Sequence, residues 1–385
     1  MQKNRSELEA LTWDQVRRRR FARNLLIEPA PRSELAGVVS RVCGIQAQVL
    51  AAAELAIGAR AAGITKKDVR DEIWEERRLV KTYGPRETLH LLTADELPIW
   101  MAAMQARSTL QEKQRAAEAG ITKDQITAIS QAIGAALDGR RLTREELAEE
   151  VSRRVGAWSK ERLASTWGEM LAPAAFEGLL CFGPSQGSKV TFVRADQWIA
   201  GWRTVEPMQA ISWVLRRYLS AYGPATPQDF ARWFWLKRAE ASHVFEVIGG
   251  ELVEVDLEGE RAWMLASDAR DPIPQPAGAL RLVPQYDCYV LGSNPRQRIL
   301  SETARRRIFA YGRGRFEGAA GLPVLLIDGM VAGIWGRRAH GKRIDLRVEP
   351  FFQLNPVQLV ALEAEAERIA AFLDARTSLS IGDLG

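Results

Sequence analysis

The chain has 385 residues, 46% hydrophobic and 26% charged, with a net charge of +5 and a pI near 9.2. Its length predicts on the order of two or three domains, and its composition is that of a globular protein able to bury a sizeable core. No run reaches the ~18 apolar residues of a membrane span, the N-terminus has no apolar signal segment, and Cys43, Cys181 and Cys288 lie far apart with no CxxC or zinc spacing. These features exclude a membrane protein and a disulfide scaffold, and they predict a cytoplasmic protein.

Residues 10–28 read as a helix with Leu11, Val16, Phe21, Leu25 and Leu26 inward. Arg17–Arg20 fall mostly outward, as a solvated face or a strip for phosphates. A second apolar pattern, Leu35, Val38, Val39 and Val42, runs into Gly44, a helix stop. Directly after it stand Gln46 and Gln48, and another apolar helix starts at Ala51. On a helix two such residues point about 200° apart, whereas in an extended segment they share one side. The pair is therefore either a set of caps for the adjoining helix ends or a working pair on a short non-helical link.

The stretch Ile64–Arg78 is helical, and Leu79–Tyr83 with Glu87–Leu92 reads as a hairpin around Gly84–Pro85. Helices followed by a two-stranded hairpin describe a winged helix-turn-helix. Arg86, Thr88 and His90 share one face of the second strand, and His90 is either a hydrogen-bonded structural histidine or a contact residue.

The same order recurs twice. Ile121–Leu137 is helical, Thr143 caps the next helix with Glu146 completing a capping box, and a helix over Lys160–Phe176 leads into strands Leu179–Phe182 and Lys189–Arg194. A helix from Pro207 to Tyr222 opens the third round, Thr226 and Pro227 start a helix reaching Trp235, and Ala239–Ile248 is followed by strands Leu252–Asp256 and Arg261–Leu265 about a Glu258–Gly259 turn. Rounds of about 70–80 residues are too long for solenoid repeats and fit tandem winged helices. After the proline-rich stretch Asp271–Pro276, short strands are predicted at Ala279–Val283, Tyr289–Leu291, Val324–Asp328, Met330–Trp335 and Arg343–Val348, with a hairpin turn at Asp328–Gly329 and a last helix over Pro356–Asp374. Between them Arg296–Arg315 carries seven arginines with Tyr311 and Phe316, a solvated loop or a phosphate contact that includes Arg296 and Arg298.

The predicted fold is thus α+β and mostly α: three winged helix-turn-helix modules (1–95, 96–204 and 205–268) and a small C-terminal β-barrel with a terminal helix (269–385). Such a chain binds duplex DNA, and with no dimerisation zipper it does so as a monomer. No P-loop, no dinucleotide fingerprint and no HExxH is present, so neither a metal nor any other cofactor is implied.

Gly44–Ile45–Gln46–Ala47–Gln48 resembles the Gln–aliphatic–Gln motif of the AlkZ-like DNA glycosylases. The resemblance extends to Arg86–Leu91, Tyr222–Pro227, Leu282–Asp287 and Val324–Gly329, and so covers about residues 10–375. It implies tandem winged helices with a C-terminal barrel, catalysis by Gln46 and Gln48, and alkylated duplex DNA as the partner. The YcaQ-type branch has an aspartate where this chain has Gln48, and Glu87 replaces a glycine expected beside the Thr–x–His pair.

N-glycosidic cleavage passes through an oxocarbenium-like state, and a water must attack the sugar. A neutral amide is no general base, but two can orient that water and present carbonyl dipoles to the cation. Such a site suffices when alkylation at N7 or N3 has already made the base a cationic leaving group. No lysine stands out for lyase chemistry. Thr88, His90, Arg86 and Asp287 are further candidates for lesion or phosphate contact, Asp287 alternatively being a cap. The competing readings are a non-catalytic regulator or lesion-binding factor, and a protein-interaction scaffold.

Overall fold

The computed structural model describes residues 9–107, 120–164, 170–275, 278–310 and 318–384. Along the chain β1 (Glu9–Leu11) leads into α1 (Trp13–Arg23), α2 (Leu35–Arg41), β2 (Ile45–Gln46), α3 (Leu50–Gly58) and α4 (Lys66–Trp74). Strands β3 (Leu79–Tyr83) and β4 (Leu89–Thr93) precede α5 (97–107). Next come α6 (Lys123–Ala136), β5 (Leu142–Thr143), α7 (Arg144–Val155), α8 (Trp158–Ala164) and α9 (Ala172–Phe176). They are followed by β6 (Cys181–Gln186), β7 (Lys189–Val193), α10 (Ala195–Trp198), α11 (Pro207–Tyr222), α12 (Pro227–Phe234) and α13 (Arg238–Val247). The remainder is β8 (Leu252–Leu257), β9 (Glu260–Leu265), β10 (Leu280–Val283), α14 (Cys288–Gly292), α15 (Glu302–Ala310), β11 (Val324–Ile327), β12 (Met330–His340), β13 (Arg343–Pro350), α16 (Pro356–Phe372) and β14 (Arg376–Ile381). The fold is mixed, with helix exceeding strand, and no described helix is long and apolar enough to cross a membrane.

The chain divides into two units. The first comprises the residues through Arg70, Arg216–Phe230 and the residues from Glu246 onward. Here α1 starts with a capping box, Gln15 N–H donating to the Thr12 hydroxyl and Thr12 N–H to Gln15. Its apolar side carries Val16 and Phe21, as expected, together with Trp13, but Arg17–Arg20 do not face solvent. Arg19 and Arg20 are buried. Arg19 donates to the carbonyls of Asp268 and Asp271, Arg20 to those of Pro224 and Asn294, Arg18 to Pro274 and Arg17 to Asp328. The run is a set of staples for distant main chain, because a guanidinium can satisfy buried carbonyls that no ladder reaches.

Two sheets complete this unit. In one, β8 and β9 turn at Glu258–Gly259, both residues at positive φ as a tight hairpin requires, and β1 adds parallel to β8. Leu11, Trp13, Val255, Leu257 and Met264 form its core. The other sheet has the order β10–β11–β12–β13–β14, antiparallel up to β13 and parallel between β13 and β14. A parallel pair needs a crossover, and α16 supplies it. Where a small barrel or curled sheet was expected, no closed barrel is found among the described residues: β10 and β14 are the edges of the five-stranded sheet, and α16 packs against both. The buried Glu365 of α16 accepts the Leu282 N–H of edge strand β10 at 2.9 Å, so this edge is blunted by the helix rather than by another strand. The Asp328–Gly329 turn forms as predicted, and β14 escaped the sequence reading. The stretch Tyr289–Leu291, expected as a strand, is helical, because the Asp287 side chain accepts the Tyr289 N–H and starts α14.

The second unit comprises Asp71–Leu215 and Ala231–Phe245. Strands β3 and β4 pair antiparallel, and β5, β6 and β7 form a three-stranded sheet in the order β5–β7–β6. Thr143 and Glu146 form the expected capping box on α7. Strand β4 begins at Leu89, not Glu87, because Arg86 and Glu87 both adopt left-handed backbone (φ 58°). Arg86, Thr88 and His90 therefore do not share a strand face. The helix expected over Lys160–Phe176 is represented by α8 and α9, residues 165–169 lying outside the described chain. Likewise Tyr311, Arg313, Arg315 and Phe316 of the arginine-rich stretch, and Pro276 of the proline-rich one, lie outside it.

Candidate active site

The link between α2 and α3 is built from the helix end outward. Helix α2 closes with the Gly44 N–H on the Val39 carbonyl (2.9 Å) and the Cys43 N–H on that of Ser40 (3.1 Å), with Cys43 left-handed (φ 63°) and Gly44 at φ 84°. This is a Schellman end, and it throws the chain into an extended course. Ile45 and Ala47 are fully buried, Gln46 between them is 8% exposed, and Gln48 is exposed. Only Ile45 and Gln46 are in strand geometry, and of the two amides only that of Gln48 is exposed. Neither is a cap residue: α2 ends on Val42, and α3 starts after Val49 with no side-chain cap.

Both flanking helices are pinned to α14. The Tyr222 hydroxyl lies 3.1 Å from the Val42 carbonyl at the end of α2 and 3.0 Å from that of Cys288, and it donates to this pair. Gly292 makes room for the ring, since a Cβ there would lie 2.2 Å from it. Just beyond α3, Arg60 meets Asp287 in a two-pronged pair of 2.8 Å contacts, both side chains fully buried, and also donates to Ala56 O of α3. Burial opposes the Arg60 cation, but the Asp287 charge and hydrogen bond outweigh it and hold its pKa above the ordinary value. Burial also pushes the Cys288 thiol up to about 12 and the Tyr222 phenol well up, so both stay neutral. Asp287, expected as a DNA contact or a cap, has both oxygens engaged in the interior: it is the anchor of the link. The sequence reading had no role for Arg60 or Tyr222. A lone arginine directly after an apolar helix was the available signal, since a buried charge requires a partner.

The other candidates divide. His90 is buried, its Nδ1 lying 2.9 Å from the Thr88 carbonyl. Burial, and secondarily the Arg86 charge, push its pKa down to about 3, so the ring is neutral. Gly84 makes its seat, as a Cβ there would lie 2.9 Å from the ring. The Thr88 hydroxyl donates to Pro85 O, Arg86 donates to Trp233 O, and Glu87 pairs with the buried Arg107. Glu87 sits at φ 58°, the conformation for which a glycine was expected. In the first unit, Arg296 and Arg298 lie on a short 3-10 turn, and the exposed Arg298 is shared between Glu258 (3.5 Å) and the Trp13 ring (5.0 Å to its centroid). Of the expected residues, Asp287 thus belongs to the contacts that hold the residues flanking the Gln46–Gln48 link, whereas Arg86, Thr88 and His90 form a separate, internally bonded turn.

A link carrying two amides, Gln46 and Gln48, and no ionisable side chain between Gly44 and Val49 can orient a neutral nucleophile but cannot deprotonate it. The model of the family described as DNA glycosylase AlkZ-like matches residues 39–372, and the chain belongs to that family: it is a DNA glycosylase. An interstrand DNA cross-link repair glycosylase of Streptomyces sahachiroi is 33% identical over 366 residues, 93% of this chain and 96% of the relative. The solved structure of Streptomyces sahachiroi DNA glycosylase AlkZ superposes with a TM-score of 0.85 at 32% identity, covering 97% of this chain and all of that one.

Proposed function

We propose that this enzyme is a monofunctional glycosylase of duplex DNA that hydrolyses the N-glycosidic bond of purines alkylated at N7 or N3, with a water held between Gln46 and Gln48. The observation that carries the reading is the non-helical link itself, which sets Gln46 and Gln48 two residues apart, next to the fully buried Ile45 and Ala47 and just before the start of α3. As the C1′–N bond breaks, its electrons neutralise the cationic base, and the base departs without needing a proton. The amide carbonyls orient the water and face the positive charge at C1′; the C1′–O bond forms, and the water's proton passes to solvent. A catalytic role fits the family better than the non-catalytic alternative. The relative's crosslink repair extends the proposal to bulky and crosslinked adducts, since a site on a short open link need not enclose the whole lesion.

Several architectural expectations belong to the same proposal. Helices α6 and α7 with the β5–β7–β6 sheet support a winged helix in the second unit, and α12 and α13 followed by the β8–β9 hairpin follow the same order. Duplex binding as a monomer is part of this reading, and the buried free thiols suit a reducing cytoplasm.

The test is release of N7-methylguanine from a synthetic duplex under single-turnover conditions. Gln46→Ala and Gln48→Ala are each expected to slow excision by about 10²–10³-fold, the scale of a lost oriented dipole in a preorganised site, with duplex affinity retained. Wild-type rates in both variants would place the chemistry elsewhere.

A further inference from the structure

The last turn of α12 in the second unit carries a residue that its backbone does not favour. Helix α12 closes with the Leu236 N–H on the Ala231 carbonyl (2.9 Å), which puts Trp235 at the position after the cap with φ 60°. Glycine is the usual occupant of such a place, because a Cβ is strained there. Trp235 also gives little to the core: it is 46% exposed, while the neighbouring Trp233 and Phe234 are buried and stacked on each other.

The turn is held in spite of this. Arg86 donates to the Trp233 carbonyl at 3.1 Å and Arg107 to that of Phe234 at 3.5 Å, which satisfies the open carbonyls at the end of α12. Arg107 is itself buried, paired with Glu87, and its guanidinium lies 5.9 Å from the centre of the Trp235 ring. Strained non-glycine backbone that persists only because its surroundings over-determine it is concentrated at functional sites. Charge points to the partner. Arg232, Lys237 and Arg238 are all exposed and lie within three residues of Trp235 along the chain, and Glu240 is committed to accepting the Lys237 N–H at 3.0 Å. A half-exposed aromatic side chain flanked in the chain by exposed cations matches one ligand chemistry well, stacked bases carried on a phosphate backbone.

We propose that the Trp235 turn is a DNA-contacting tip, in which the indole stacks on a nucleobase and Arg232, Lys237 and Arg238 hold the flanking phosphates. This site goes beyond the glutamine chemistry and does not depend on it, because it is read by binding to undamaged duplex and not by excision.

The full chain is titrated by fluorescence anisotropy into a labelled duplex, undamaged or carrying a tetrahydrofuran abasic analogue that leaves neighbouring bases partly unstacked. Trp235→Ala and Trp235→Gly are expected to weaken binding about tenfold, Trp235→Phe by less than about threefold, and the loss to be larger on the abasic duplex. Lys237→Ala and Arg238→Ala are each expected to lower the slope of log affinity against log salt by about one. The glycine variant separates the roles of ring and fold. Glycine suits this backbone better than tryptophan, so its thermal midpoint is expected to equal or exceed that of the wild type even as DNA affinity falls. Wild-type affinity in Trp235→Gly, or an affinity loss that appears only in variants with a lowered thermal midpoint, would overturn the proposal.

Discussion

Two turns in this molecule are built with the same materials and put to different ends. The link after α2 and the turn between β3 and β4 each force non-glycine residues into left-handed backbone, Cys43 in one and Arg86 with Glu87 in the other. Each also depends on buried arginines, Arg60 in the first and Arg107 in the second. In the second turn the polar side chains are spent on the turn itself: Thr88 on Pro85, His90 on Thr88, Arg86 on Trp233 and Glu87 on Arg107. In the first, other elements do that work. Tyr222, Arg60 and Asp287, which lie outside the motif, hold the helix ends on either side of the two glutamines. The two turns thus differ in where their support lies: within the motif in the second, and in residues outside it in the first.

The largest effect should come from breaking that support. Asp287→Asn leaves the Arg60 cation fully buried against a neutral amide, and removing one partner of a buried pair costs about 3–5 kcal/mol. Chemical denaturation is expected to show a loss on that scale, together with slowed excision. Replacing both partners by apolar residues, Arg60→Met with Asp287→Leu, removes the stranded charge and should recover much of the stability, while excision stays depressed because the link is no longer tied to α14. Recovery of excision along with stability would reduce the pair to a structural device.

The second turn makes the opposite kind of prediction, one about pH and not about chemistry. His90 is held neutral with its pKa pushed down to about 3, far below the ordinary value of 6.5, so the unfolded chain takes up a proton that the folded one refuses. The stability this ring contributes is fully present above about pH 6.5 and is lost as pH falls toward the folded value, at a slope nearing about 1.4 kcal/mol per pH unit. Wild type and His90→Gln should therefore converge in denaturation midpoint between pH 7 and pH 5. Parallel pH profiles would show that the ring protonates equally well in both states.

What the sequence disclosed follows the same divide between local and distant causes. The Asp328–Gly329 and Glu258–Gly259 turns and the capping boxes at Thr12 and Thr143 depend on neighbours within three residues, and those at 143, 258 and 328 were readable directly. The Gln46–Gln48 link was legible for a related reason: Gly44 stops a helix, and two-residue spacing has meaning only in extended chain. Arg17–Arg20 were misread because four charges in a row imply solvent, and the carbonyls they serve lie more than 200 residues away in sequence. Arg60 and Asp287 are 227 residues apart, and no local pattern announces such a pair. The packing of α16 against both edge strands of the C-terminal sheet is an equally distant event that no local pattern announced.

The smallest predicted effect is the most discriminating for the first turn. Tyr222→Phe keeps the ring in its seat against Gly292 and removes only the hydroxyl shared by Val42 O and Cys288 O. Those carbonyls are buried, so the expected loss of stability is about 1 kcal/mol, typical of one hydrogen bond. That is too little to unfold the protein at working temperature. The hydroxyl nevertheless sets where α2 ends, two residues before the link begins. Tyr222→Phe is therefore expected to lower the single-turnover excision rate several-fold while leaving duplex affinity unchanged, since a misplaced water is penalised in the transition state and not in binding. A variant that loses affinity and rate together would mean that Tyr222 supports the DNA-binding surface at large, and the delegation of support to α14 would then have no specific bearing on the glutamines.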